Sequence, residues 1–90
     1  MITLIDFYAD WCPPCQMMGP VLEEVERELN GEIEFRKVNV DEERDLAQKF
    51  MVMGIPTFVI MKDGQELDRR SGAIPKEEFK KWIKGYLERE

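Results

Sequence analysis

Ile2 to Tyr8 form an almost unbroken apolar and β-branched run, interrupted only by Asp6. A strand built this way offers no face to water, which predicts a central strand in a parallel sheet covered on both sides. The cover has to come from helices, and the chain supplies one at once. From Pro14 onward Met18, Val21, Leu22, Val25 and Leu29 recur at spacings of three and four, while Glu23, Glu24, Glu26, Arg27 and Glu28 take the opposite face. That pattern is an amphipathic helix about four turns long. Pro20 lies inside it and removes one backbone hydrogen bond, predicting a kink, and Asn30-Gly31 supplies a left-handed stop.

Ile33 to Val40 returns to strand character, with a slip in its alternation at Arg36 and Lys37 that fits either a bulge or burial on both faces. Asp41 is placed to cap a second helix whose Leu46, Ala47 and Phe50 face inward and which Gly54 ends. Thr57 to Met61 and Glu66 to Arg70 are strands joined through Asp63-Gly64, a hairpin signal that makes them antiparallel. Pro75 opens a last helix, without a side-chain cap, whose Phe79, Trp82, Ile83, Tyr86 and Leu87 share one face. The fold class is therefore α/β in the order β-α-β-α-β-β-α, a four-stranded mixed sheet with three helices, beginning with a right-handed parallel unit. The 90 residues suit one domain, residues 1–90, with no linker or repeat.

Composition narrows the chemistry. Lys and Arg number 13 against 19 Asp and Glu, a net charge of −6, so nucleic acid or an acidic membrane surface would bind against the field. The chain has no histidine, which removes imidazole metal sites and Ser-His or Cys-His nucleophile pairs. The N-terminus lacks a basic region and cleavage site, and no stretch approaches the ~18 apolar residues of a membrane span, so a cytoplasmic location is expected. With two cysteines in a reducing compartment, a static structural disulfide is not expected.

Trp11-Cys12-Pro13-Pro14-Cys15 stands where the first strand hands over to the first helix. Residues three apart in a helical turn place their Cα atoms ~5–6 Å from each other, within the span a disulfide closes without moving the backbone. Cys12 lies at the helix N-terminus, where free amides and the positive end of the dipole favour a thiolate, and is expected to be the exposed nucleophile. Cys15, a turn deeper and less exposed, is expected to resolve the mixed disulfide. Pro13 and Pro14 have no amide hydrogen to give the Cys12 sulfur, so thiolate stabilisation is limited and the couple belongs at the reducing end; the helix should start at Pro14 or Cys15. Two thiolates without histidine or a second cysteine pair do not make a zinc site, and no metal is expected.

Taken together, Phe7-Tyr8-Ala9-Asp10-Trp11-Cys12-Pro13-Pro14-Cys15, Pro20, Gly54-Ile55-Pro56-Thr57, Lys62-Asp63-Gly64 and Gly72 resemble the thioredoxin family over essentially the whole chain. The resemblance implies a thioredoxin fold and a protein-disulfide reductase exchanging the Cys12/Cys15 dithiol for a disulfide. It implies a client surface of Trp11, Ile55, Pro56, Gly72 and Ala73, with Pro56 in the family's cis-proline position. No bound cofactor is needed; the partners implied are disulfide-containing client proteins and a thioredoxin reductase or equivalent donor, with the chain a monomer. Two departures stand out. The family's usual first strand and helix are absent, leaving a minimal, glutaredoxin-sized chain. The insert between the cysteines is Pro-Pro instead of Gly-Pro, as in the similar membrane-tethered thiol reductases of cytochrome maturation. A glutathione-dependent glutaredoxin would carry Gly-Gly after the cis-proline hairpin and a basic residue near the first cysteine. Ser71-Gly72-Ala73 and Ala9-Asp10 stand there instead. A third reading is a non-catalytic binding module on the same fold.

Asp6 in an apolar strand costs desolvation free energy unless it is paired, protonated or solvated by an internal water; the bland alternative is an exposed edge position. By resemblance it is the buried carboxylate behind the second cysteine, acting as base for Cys15, with Lys37 the lysine that approaches it; Lys37 could equally be a solvated strand charge. Trp11, beside the nucleophile, is expected partly at the surface as a docking group. Met17, Met18, Met51 and Met53 are expected to fill gaps in the core or at its rim.

Overall fold

The computed structural model describes residues 1–89. Four strands and three helices follow in the expected order: β1 (Thr3–Tyr8), α1 (Pro13–Glu28), β2 (Glu34–Asn39), α2 (Arg44–Lys49), β3 (Thr57–Lys62), β4 (Gln65–Ser71) and α3 (Lys76–Leu87). The sheet order is β2-β1-β3-β4. β1 runs parallel to β2 and antiparallel to β3, and β3 and β4 form the antiparallel hairpin. At its tip Asp63 (φ 50°) and Gly64 (φ 79°) both take positive φ, the geometry of a turn whose twist matches that of the flanking strands.

The β1 sequence explains why it is internal. Ile2 and Leu4 pack with Phe58 and Ile60 of β3 against Met18, Leu22 and Val25 of α1 and Phe79, Trp82 and Ile83 of α3. Ile5 and Phe7 point the other way, with Val38 and Val59, toward Leu46 and Phe50 of the α2 side. Period-two alternation therefore holds in β1, but with both phases apolar. Among the described residues no helix is long and apolar enough to cross a membrane.

Several boundaries differ from expectation. α1 starts at Pro13, a residue earlier than Pro14, because Cys12 takes the extended N-cap conformation and two prolines are well suited to a first turn that needs no amide hydrogen. The helix runs unbroken through Pro20, and Gly31 takes the left-handed conformation (φ 87°) after Leu29. The slip at Arg36 and Lys37 is not a bulge. β2 keeps continuous register with β1, and these two residues are exposed because β2 is an edge. The irregularity lies in β4 instead, where the register against β3 shifts between Ile60 and Met61. α2 is short and ends at Lys49; Met51 (φ 54°), not Gly54, takes the left-handed position after it. Leu46, Ala47 and Phe50 are only half-buried. Of Met17, Met18, Met51 and Met53, only Met18 is buried. Met17, Met51 and Met53 are exposed, Met53 at 95%.

Candidate functional site

The C-terminal end of β1 delivers Ala9-Asp10-Trp11-Cys12 to the start of α1. The Cys12 amide bonds back to the Ala9 carbonyl at 3.3 Å, and Gln16 Nε2 donates to the Asp10 carbonyl at 2.8 Å, so the segment is tied at both ends. Cys12 is the N-cap itself (φ −91°, ψ 110°), and the Cys15 amide donates to its sulfur at 3.2 Å. An N-cap side chain ordinarily takes the amide of the second or third helical residue. Here Pro14 occupies the second and has none, so a single donor remains. Cys12 and Cys15 close a disulfide with their Cα atoms 5.2 Å apart.

Exposure does not rank the two cysteines as expected. Cys12 is 2% exposed and Cys15 9%. Ala9, Tyr8, Val40 and Ile55 pack around the closed pair, and the Ile55 carbonyl oxygen lies 3.7 Å from the Cys12 sulfur, a position that covers it. The asymmetry between the sulfurs is one of hydrogen bonding: only Cys12 receives an amide at the helix start.

The Ile55–Pro56 peptide is cis. Thr57, buried under this loop, donates its hydroxyl to the Gly54 carbonyl at 2.6 Å and meets Ser71 Oγ at 3.1 Å. The Gly72 amide donates to the Pro56 carbonyl at 2.9 Å from a residue with φ 88°, a conformation that disfavours any side chain there. These bonds bring the two loops, Gly54–Thr57 and Ser71–Ala73, together. Ala73 is exposed, Ile55 half-buried and Pro56 buried. Trp11 is 66% exposed and its indole N–H donates to Asp41 Oδ2 at 2.8 Å. Asp41 therefore does not cap α2, whose N-cap is Glu43 without a side-chain bond.

Asp6 is buried, not at an edge, and its Oδ1 has no hydrogen-bond partner among the described residues. By the sheet register it shares the α1/α3 face with Leu4 and stands opposite Lys37. Burial pushes its carboxyl up from 3.8 to about 6, and the nearby Lys37 charge pulls partly the other way. Lys37 is itself exposed, a solvated charge on the edge strand whose field still reaches the Asp6 carboxylate. A cavity of about 30 Å³ between α1 and β2 reaches Asp6, with Leu4, Leu22 and Phe35 as apolar walls and Glu23, Glu26, Arg36 and Lys37 as polar ones. It has room for a water.

Sequence alone does not place Asp41 or Asn39 beside Trp11 and the cysteines. An exposed indole whose N–H needs an acceptor is the one signal that points toward a residue such as Asp41.

The thioredoxin family model matches residues 1–85. A thioredoxin of Staphylococcus saprophyticus is 43% identical over 86 residues, 96% of this chain and 83% of the relative. One of Bacillus subtilis is 40% identical over the same shares. The solved structure of a mutant thioredoxin from Halobacterium salinarum NRC-1 superposes with a TM-score of 0.87 at 37% identity, covering 96% of this chain and 74% of that one. With a helix-capped cysteine pair closing at the end of the first strand of this fold, the chain belongs to the thioredoxin family and is a thiol-disulfide oxidoreductase.

Proposed function

We propose that the chain works as a general protein-disulfide reductase in the cytoplasm, as a monomeric single domain over residues 1–90. Cys12 as thiolate attacks a client disulfide, forming a Cys12–client bond and releasing one client thiolate. Cys15 then loses its proton to Asp6, its sulfur attacks Cys12 Sγ, and the second client sulfur leaves with the electron pair. Two electrons pass from the dithiol to the client, and a thioredoxin reductase or equivalent donor restores the dithiol. Lys37 keeps the Asp6 carboxylate from losing its charge altogether in its buried setting. Trp11, Ile55, Gly72 and Ala73 form the surface on which the client lies, with Pro56 buried beneath it. With prolines at 13 and 14 withholding further amides from Cys12, the couple stays at the reducing end.

The observation that carries this assignment of roles is the single Cys15 amide on the Cys12 sulfur, which favours negative charge on Cys12 in the reduced chain. Trapping tests it. Cys15→Ser should accumulate Cys12-linked mixed disulfides with clients, resolved by mass spectrometry after acid quenching, and Cys12→Ser should accumulate few. Trapping by both variants, or by neither, rejects the roles.

A further inference from the structure

The loop that carries Ile55 and the cis peptide runs from the end of α2 to the start of β3, and β4 holds its two ends by different means. α2 has no buried residue, so the core fixes its end only loosely. Phe50 closes the helix, its ring packed on Phe7 with centroids 5.4 Å apart and its carbonyl left without a further helical turn to bond. Met51 follows at φ 54°, a conformation that a residue with a side chain keeps only where its surroundings enforce it. Arg69 supplies that restraint. Its guanidinium forks onto Glu66, Nε to Oε2 and Nη2 to Oε1, both at 2.7 Å, and the other Nη2 hydrogen goes to the Phe50 carbonyl at 2.8 Å. Because the guanidinium is planar, the Glu66 pair sets the direction of the third bond. At the far end of the loop the Gly72 amide holds the Pro56 carbonyl at 2.9 Å. Ile55, whose carbonyl covers the Cys12 sulfur, lies between the two attachments. One is main chain. The other depends on a single side chain that spans a groove lined by Lys49, Phe50, Met51, Met61 and Glu66.

We propose that Arg69 is a positioning residue for client binding: aimed by Glu66, it clamps the Phe50 carbonyl and holds the Met51–Pro56 loop in the conformation that presents Ile55 to an extended client. The gain is in preorganisation, since a loop already held does not have to be ordered when the client arrives. A small disulfide needs only the sulfurs and should be indifferent to the clamp. This inference rests on the reading that the client lies across Ile55.

Reduction of insulin and of 2-hydroxyethyl disulfide by Arg69→Met, Arg69→Lys, Glu66→Ala and Ile55→Ser tests it, alongside amide hydrogen exchange. The Met51 and Val52 amides donate to the Gln48 and Ala47 carbonyls at 2.9 and 3.0 Å, so their exchange reports on the clamped turn. Arg69→Met keeps an unbranched stem and removes every guanidinium bond. It should raise KM for insulin about 3- to 10-fold with kcat changed less than about 2-fold, while the small disulfide reacts at the original rate. Exchange at Met51 and Val52 should quicken about 10-fold with the β1 amides unchanged. Arg69→Lys, which keeps the charge and one donor for the carbonyl, should fall between Arg69→Met and the original chain, and Glu66→Ala should raise KM by less than Arg69→Met does. An unchanged insulin KM in Arg69→Met beside a raised one in Ile55→Ser overturns the positioning role alone. An unchanged KM in Ile55→Ser overturns the client surface on which it rests. Exchange at Met51 and Val52 that stays at the original rate, or that quickens equally in β1, also overturns the clamp, and so does a loss shared equally by the small disulfide.

Discussion

Two carboxylates sit on the same face of one sheet, two strands apart, and they are treated in opposite ways. Asp68 on β4 accepts from Trp82 Nε1 at 2.9 Å and Tyr86 Oη at 2.7 Å, and so ties the edge strand to α3. Burial pushes its carboxyl up, but the Trp82 and Tyr86 hydrogen bonds, the Arg69 amide and the Arg70 charge together outweigh it, and the net direction is down. Asp6 on β1 has an Oδ1 with no partner among the described residues, and burial carries its carboxyl up to about 6. A partnered carboxylate keeps its charge and serves as structure. One left short of partners is costly as an anion and gains affinity for a proton, which makes it useful as a base near neutral pH.

The largest expected contrast comes from Asp6→Asn. The resolving step should slow by about 10²-fold, read as a longer-lived mixed disulfide in rapid-quench experiments. The same variant should be more stable. The folded chain holds the Asp6 proton more tightly than the unfolded chain does, so Asp6 lowers stability as pH rises from about 4 through about 6. Asp6→Asn should therefore gain on the order of 3 kcal/mol above about pH 7 and almost nothing below about pH 4, measured by denaturant titration. A variant that is less stable at neutral pH, or that resolves at the wild-type rate, removes the distinction between the two aspartates.

Asp68→Ala should do the reverse. It leaves the Trp82 N–H and Tyr86 O–H without their acceptor and should lose about 2 kcal/mol, with the resolving rate unchanged. The smallest effect is expected from Glu28→Gln on the solvent side of α1. Glu28 meets Lys76 at 2.9 Å and also pairs with Lys80, whose hydrogen bond is the main reason its carboxyl sits at about 2. Exposed pairs contribute little and are screened, so Tm should fall slightly at low ionic strength and not measurably near ~1 M salt.

What could be read from sequence was local. Both phases of β1 are apolar, so its internal position follows from Ile2 to Tyr8 alone; the spacing of Cys12 and Cys15 fixes their approach; Asp63-Gly64 fixes the hairpin. Asp6 stands out because it breaks a run in its own strand. The features that sequence hides depend on partners distant along the chain. Asp41 looks like a cap until Trp11 is brought beside it, and Asp68 looks like a strand charge until α3 presents Trp82 and Tyr86. Met53 has the composition of a core residue, yet it lies in a loop beside the cis peptide with nothing over it. The burial of Cys12 is invisible for the same reason, since Ile55, 43 residues away, covers the sulfur.

That covering makes the reactivity of Cys12 the point most exposed to test. Reduced protein, alkylated with iodoacetamide across a pH series and mapped by mass spectrometry, gives the order in which the two sulfurs react. Cys12 should be modified first and at lower pH, with Cys15 following only at higher pH. Modification of Cys15 first, or of both together, would show that the amide at the helix start does not make Cys12 the attacking sulfur.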